Sequence, residues 1–339
     1  MKAIWYDAPE SYVLTDRPDP EPAAGEVRLR VRSAGVCGTD VHLHHGEFSP
    51  RYPFTPGHEV VGEVDQVGDG VTDLRVGQLV ALNNRISCGT CTSCRRAMPM
   101  YCTRLRDLGV NEPGGFAELV AAPAGQCHPV DDLPLEVAAF AEPTACAVHA
   151  LDVLAPAPGS DVLLFGAGTT GLLLTQLLAR TGAWRLTVAA PTEAKLELAR
   201  AFGASETVLV DRADPAATTG LLRAGAPDGY DVVVDATGAP GVQAQCVPLT
   251  RDGGTVLFFG MAPEAATMPL STNEVFRREL TLKGSFTQAF SFDRAVAALR
   301  SGAVRTEGMV THHFDLASYG AALEAVASDR SCIKALIHP

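Results

Sequence analysis

Cys88, Cys91, Cys94 and Cys102 fall within fifteen residues, as Cys88-Gly-Thr-Cys91-Thr-Ser-Cys94 and then Cys102. Thiolates two residues apart can turn inward from one small loop and close a tetrahedral shell around Zn²⁺. A closed shell leaves no position for a substrate, so zinc held there supports structure. In a secreted chain the same four cysteines could pair as disulfides, in three ways. The start, Met1-Lys2-Ala3-Ile4-Trp5-Tyr6-Asp7, is charged within seven residues and lacks a signal-peptide apolar run, which favours zinc. A second set of donors is scattered. Gly35-Val36-Cys37-Gly38-Thr39-Asp40 offers a thiolate, Gly57-His58-Glu59 an imidazole and a carboxylate, and Ala141-Glu142-Pro143 another carboxylate. A mixed Cys/His/Glu set suits Zn²⁺, and three protein ligands leave room for water or substrate. Taken singly, each piece has a plainer explanation: a buried cysteine packs as a small hydrophobe, and a His-Glu pair commonly lies on the surface.

Gly57-His58-Glu59-Val60-Val61-Gly62, followed by Gly68 and Val71, resembles the zinc signature of the medium-chain dehydrogenase/reductase superfamily, the zinc-dependent alcohol dehydrogenases. The resemblance runs from Met1 to Pro339 and takes in the four-cysteine lobe, a dinucleotide fingerprint and the tail Cys332-Ile333-Lys334. Glu142-Pro143 stands where the alcohol dehydrogenases carry a cysteine ligand, so the chain looks closest to the sorbitol, arabinitol and threonine dehydrogenase branch. The resemblance implies two zinc ions per chain, one structural in the lobe and one catalytic at Cys37, His58 and a glutamate. Either Glu59 or Glu142 can complete that shell while the other holds a bound water or substrate oxygen. It also implies that the metal acidifies a substrate hydroxyl before hydride leaves for the nicotinamide. Thr39 lies where the family takes the hydroxyl proton, and His42 where it passes that proton through the cofactor ribose to solvent. His44 and His45 read as rim or surface residues without a ligand role. Cys127, Cys146, Cys246 and Cys332 lack ligand-like spacing and read as core.

Asp161-Val162-Leu163-Leu164-Phe165 runs directly into Gly166-Ala167-Gly168-Thr169-Thr170-Gly171 and then a helical pattern. Gly166 permits the tight turn, Gly168 lets backbone approach a pyrophosphate, and Gly171 lets helix and strand pack closely. Thr169 and Thr170 fall at the helix start, where free N–H groups and the dipole favour phosphate. The next strand ends at Ala190, where an Asp or Glu would normally accept from the adenosine ribose. Without that carboxylate a 2′-phosphate meets no repulsion, and Thr192 and Lys195 can donate to it. Lys195 also falls where NAD-using relatives carry a base, so it does not discriminate; the missing acid favours NADP over NAD. Phe259, Gly260 and Ser285 complete the expected cofactor-binding set.

The elements that must position these residues divide the chain. Residues 1–150 alternate short β-like runs with Gly and Pro punctuation, a β-rich, barrel-like half that holds every proposed zinc ligand; the resemblance implies that it is a GroES-like catalytic zinc domain. After Ala155-Pro156-Ala157-Pro158-Gly159, strand-like runs recur at 161–165, 185–190, 206–210, 231–235, 254–259 and 279–284, with helices expected at Leu172 to Arg180 and Glu193 to Phe202. That rhythm predicts an α/β, doubly wound parallel Rossmann domain over 151–286. The family implies that 287–339 then complete the first domain. Val162 to Ala179 has no charged residue, but its glycines break a membrane-spanning helix, so no transmembrane segment is expected. A net charge of −12 argues against a nucleic-acid partner, and nine cysteines point to a reducing cytoplasm. The expected activity is a reversible polyol dehydrogenase acting on a sugar alcohol or cyclitol, in a homo-oligomer, tetramer or dimer. The alternatives are a threonine-type or aminocyclitol dehydrogenase. A zinc-free quinone or enoyl reductase, or a cofactor-binding sensor, would be expected to lack Cys37, His58 and Glu59.

Overall fold

The structure, a computed structural model, describes residues 1–48 and 50–339. The chain begins with a hairpin of β1 (Lys2–Ala8) and β2 (Ser11–Asp16). β3 (Glu26–Val36) alternates inward and outward side chains and buries Val27, Leu29 and Val31, the period-two pattern of a strand with one wet face. It leads through Cys37 into α1 (Gly38–His44). There follow β4 (Glu59–Val67), β5 (Leu79–Leu82) and the ribbon of β6 (Arg85–Ile86) and β7 (Arg106–Asp107). The long loop inside that ribbon carries α2 (Thr92–Arg95). After β8 (Leu119–Pro123) and β9 (Cys127–Pro129) come α3 (Leu135–Ala138) and α4 (Ala141–Leu154).

The middle of the chain forms a second sheet. β10 (Asp161–Phe165) is buried at every residue, as expected of a parallel strand covered on both faces. With β11 (Arg185–Ala190), β12 (Glu206–Leu209), β13 (Tyr230–Asp235), β14 (Thr250–Phe258) and β15 (Thr281–Gly284) it makes a six-stranded sheet in the order β12-β11-β10-β13-β14-β15. All its neighbours are parallel. The order reverses between β10 and β13, the switch point at which open α/β sheets bind ligands. α5 (Thr169–Ala179) follows β10 and α6 (Glu193–Ala201) follows β11. α5 starts ahead of the expected Leu172 because Gly168 is its N-cap, so the glycine turn passes straight into the helix. Among the described residues no helix is long and apolar enough to cross a membrane.

β16 (Val310–Phe314) and β17 (Lys334–Ile337) then join the first sheet, whose order is β16-β17-β3-β4-β5-β9, with β8 also on β3. Two compact units result. One comprises Met1–Ala145, Gln288–Gly302 and Thr306–Pro339; the other comprises Cys146–Thr287 and Ala303–Arg305. Each has its own core, around Leu29, Val64 and Phe116 in the first and around Leu163, Val233 and Val256 in the second.

Candidate active site

Three neighbouring strands assemble the Cys37 centre. Gly35 of β3 pairs with Glu59 of β4 on one side and with Leu336 of β17 on the other. Cys37 follows β3, and His58 immediately precedes β4. One ligand atom each from Cys37, His58 and Glu59 lie within 4.8 Å of one another, with Cys37 Sγ 3.2 Å from His58 Nε2. Tetrahedral zinc would set such a sulfur and nitrogen roughly 3.5 Å apart, so the pocket fits the ion with little movement. Asp40, fully buried, accepts the Cys37 N–H through Oδ2 at 2.9 Å. Its Oδ1 lies 3.4 Å from His58 Nδ1, and both atoms are buried without a hydrogen-bond partner. The carboxylate thus turns Nε2 of His58 toward Cys37, as a ligand imidazole requires. Burial opposes charge on His58, but Cys37 and Asp40 outweigh it and hold the imidazole well above its ordinary range. That negative field is what a cation would neutralise.

Lys334 is the charged residue that sequence reasoning missed. It is 1% exposed, and its ammonium is ion-paired with Glu59. Desolvation pushes its pKa down, yet Glu59, Cys37 and Glu142 more than reverse this, and the amine is held above its usual value. Its side chain crosses over Gly35 to reach Glu59. A Cβ at Gly35 would lie 1.9 Å from Glu59 Oε2 and 2.9 Å from Lys334 Cε, so only glycine admits the pair. Glu142 opens α4, is 8% exposed, and lies outside the 4.8 Å group.

The sulfurs of Cys88, Cys91, Cys94 and Cys102 also lie within 4.8 Å of one another. Cys88 and Cys94 are 4.0 Å apart and Cys91 and Cys94 3.5 Å, bracketing the roughly 3.8 Å edge of a tetrahedral zinc–thiolate shell. Backbone N–H groups point at them: Cys91 at Cys88 Sγ (3.3 Å), Cys88 and Arg104 at Cys102 Sγ (3.3 and 3.4 Å). N–H groups of Thr90 and Cys91 pull the Cys88 thiol down to about 5, and those of Cys94 and Thr103 pull Cys91 down to about 7. Desolvation and its sulfur neighbours hold Cys94 up at about 11. At the foot of the lobe Asp107 binds Arg85 (2.7 Å) and Asn84 (2.5 Å). The remaining cysteines divide: Cys127, Cys246 and Cys332 are buried and Cys146 is half-buried. Burial raises the Cys127 thiol to about 12.

Thr39 and His42 ride on α1, beside Cys37. The Thr39 N–H donates to Cys37 Sγ at 3.3 Å. His42, in the last turn, donates from Nδ1 to Glu47 at 2.5 Å, a partner not foreseen in the sequence. His44 bonds the Tyr6 hydroxyl (2.8 Å), and His45 pairs with Glu10 on the surface (2.8 Å).

In the second unit the glycines occupy the carboxyl end of β10. Gly166 has φ +107°, and a Cβ on Gly171 would sit 2.2 Å from the Gly166 carbonyl oxygen. A Cβ on Gly168 would meet nothing within 4 Å, and no side chain caps the helix that begins with Thr169 and Thr170. This is an open cradle of the kind a pyrophosphate fills. Ala190, 1% exposed, ends β11, and Thr192 is the N-cap of α6 with no side-chain cap bond; Lys195 is half-buried in its first turn. The N–H groups of Phe259 and Gly260 both donate to the Asp235 carbonyl (2.9 and 2.8 Å), and Ser285 N–H to that of Phe258 (3.0 Å). The Ser285 hydroxyl is buried without a partner. The expected cofactor residues thus lie at or just after the carboxyl ends of β10, β11, β14 and β15 or in the first turns of α5 and α6.

Residues 23–132 match the alcohol dehydrogenase GroES-like domain, and residues 169–301 match the zinc-binding dehydrogenase family. The chain is 40% identical to D-arabinitol dehydrogenase 1 of Uromyces fabae over 340 residues, covering 100% of this chain and 97% of the relative. A zinc-binding dehydrogenase structure from Sinorhizobium meliloti 1021, bound to NADP, superposes with TM-score 0.91 at 31% identity, covering 100% and 99%. An alcohol dehydrogenase structure from E. coli CFT073, complexed with NADH, superposes with TM-score 0.90 at 30% identity, also covering 100% and 99%.

Proposed function

Because the chain belongs to the zinc-binding dehydrogenases with an alcohol dehydrogenase GroES-like domain, we propose that this dehydrogenase acts on a secondary hydroxyl of a sugar alcohol or cyclitol. The observation that carries the reading is the carboxylate-bearing Cys37 centre, in a chain alike over its whole length to a D-arabinitol dehydrogenase. Carboxylates accept hydrogen bonds from the hydroxyls flanking the reacting one, which a polyol has and a plain aliphatic alcohol lacks.

Cys37, His58 and Glu59 hold the catalytic zinc in this reading, and the four lobe cysteines hold the structural one. Zinc at the Cys37 centre supplies a Lewis acid that makes a substrate hydroxyl easier to deprotonate. Asp40 fixes the His58 ring, Lys334 fixes Glu59, and Glu142 accepts from substrate hydroxyls in this reading. Thr39 takes the hydroxyl proton and His42 passes it toward solvent. Gly166, Gly168 and the start of α5 hold the dinucleotide phosphates. The uncharged Ala190 at the end of β11 supports NADP, because no carboxylate there repels a 2′-phosphate. We further infer a cytoplasmic homo-oligomer. β15 is an edge strand with one open side, and Phe276 and Phe286 around it are 80% and 57% exposed, a face suited to a second copy.

The test is kcat/KM for pentitols, hexitols, amino alcohols and L-threonine, each with NAD and NADP. Polyols should lead, with NADP preferred. Ala190→Asp should move the cofactor ratio toward NAD by about tenfold or more, since a charge-assisted hydrogen bond contributes roughly 1.5–3 kcal/mol. L-threonine as the best substrate would overturn the polyol reading. A strong wild-type preference for NAD, unmoved by the substitution, would overturn the role given to Ala190.

A further inference from the structure

Three histidines crowd the end of α1, and each has a different partner. His44 is tied to a buried tyrosine. His45 and Glu10 are both widely exposed, 53% and 65%, and a pair so wet contributes little. His42 and Glu47 make the same chemical pair, but their side chains are only 21% and 29% exposed and the contact is 2.5 Å. Five residues apart is not a neighbouring position on a helix. The pairing exists because the chain reverses after α1. Gly46 takes φ +84°, and a Cβ there would meet Pro9 Cγ at 2.9 Å, so glycine is required twice over. The Glu47 N–H then donates to the His42 carbonyl at 3.0 Å, and its carboxylate meets the ring at Nδ1. Phe48 packs edge-on against the same imidazole, centroids 6.4 Å apart at 82°.

We propose that Glu47 is the positioning residue of the proton-relay histidine, fixing His42 with Nδ1 protonated and Nε2 open to receive a proton. This rests on the role given to His42 above. A carboxylate can only accept, so the ring nitrogen facing it carries hydrogen and the other is left with the lone pair. The proton released by the substrate hydroxyl arrives at Nε2, and the charge it brings sits 2.5 Å from the Glu47 carboxylate. Nε2 then gives the proton to water, and the ring returns to its starting tautomer. Nucleophile, base and an orienting third group follow the same logic wherever a histidine must accept on one nitrogen.

Glu47→Gln tests this, because an amide can donate to Nδ1 and stabilise the wrong tautomer. It should lower kcat by about 10- to 100-fold, the loss typical of an orienting partner and below the roughly 10²–10⁴-fold of the acid–base group itself, while Tm and the cofactor KM stay near wild type. Glu10→Gln serves as the control and should leave kcat unchanged. Glu47→Ala should regain activity with added formate, and Glu47→Asp should lose less than Glu47→Gln. In histidine-labelled protein, long-range ¹H–¹⁵N spectra should show His42 protonated on Nδ1, a signature lost in Glu47→Gln. Combining Glu47→Gln with His42→Ala should cost no more than His42→Ala alone. An active Glu47→Gln, or losses that multiply in the double variant, overturns the inference while the relay stands. An active His42→Ala overturns the relay and this inference with it.

Discussion

The lobe and the Cys37 centre both gather metal-type donors around a zinc-sized space, yet they are built in opposite ways. The lobe takes four sulfurs from one stretch of fifteen residues, half-exposed, and backbone N–H groups of the same loop hold them. The Cys37 centre takes its donors from the end of β3 and the start of β4, and buried charges from α1 and β17 hold those donors in turn. A closed site needs only a loop that folds on itself. An open one must keep its ligands aimed while substrates come and go, so it needs a second layer of residues around the first. In this protein that layer is Asp40 and Lys334.

The contrast is broken most directly at Cys37. Cys37→Ser should lower kcat by about 10⁴-fold, roughly 5.5 kcal/mol of barrier, with the thermal melt close to wild type. Steady-state rates and zinc content per chain check it; a variant that retains both zinc ions and full turnover would end the assignment. Next in size is Lys334→Met in the zinc-free protein, which leaves the buried Glu59 without its ion-pair partner. Removing one member of a buried pair costs about 3–5 kcal/mol, measurable by denaturant unfolding. A loss below 1 kcal/mol would mean that solvent already reaches Glu59. The smallest effect on chemistry belongs to the lobe. Cys94→Ser should lower Tm by several degrees, at roughly 2–4 °C per kcal/mol for a protein of this size, and release one zinc. Its kcat per remaining zinc should stay within about twofold, because lobe zinc contributes to folding. Unchanged Tm with lost activity would make the two sites exchange roles.

What could be read in the sequence follows the same divide. The four cysteines and the Gly166–Gly171 turn are local patterns whose spacing carries their geometry, and the strand rhythm from Asp161 onward gave the parallel sheet. Lys334 stood in the quoted tail, but nothing in its surroundings says that β17 lies next to β3. That adjacency depends on sheet order, which is a property of the whole chain. Glu47 was closer at hand, five residues from His42, and was hidden for a different reason. Helical periodicity does not bring those positions together; the left-handed turn at Gly46 does. Asp40 was visible as a residue beside Cys37, and its burial under His58 appears only once β3 and β4 are paired.

The link between Glu59 and Lys334 spans 275 positions, and this sets an order of events as the polypeptide leaves the ribosome. β3, β4 and the cysteine lobe can all form early, from contacts close in sequence. Until β17 has been made and docked beside β3, Glu59 has no cation to face, and its carboxylate stays in water or takes up a stray ion. Contacts of such long separation form late, because loop closure must come first. The four lobe cysteines can therefore come together on a nascent chain, while the Cys37 centre reaches its final shape as one of the last acts of folding.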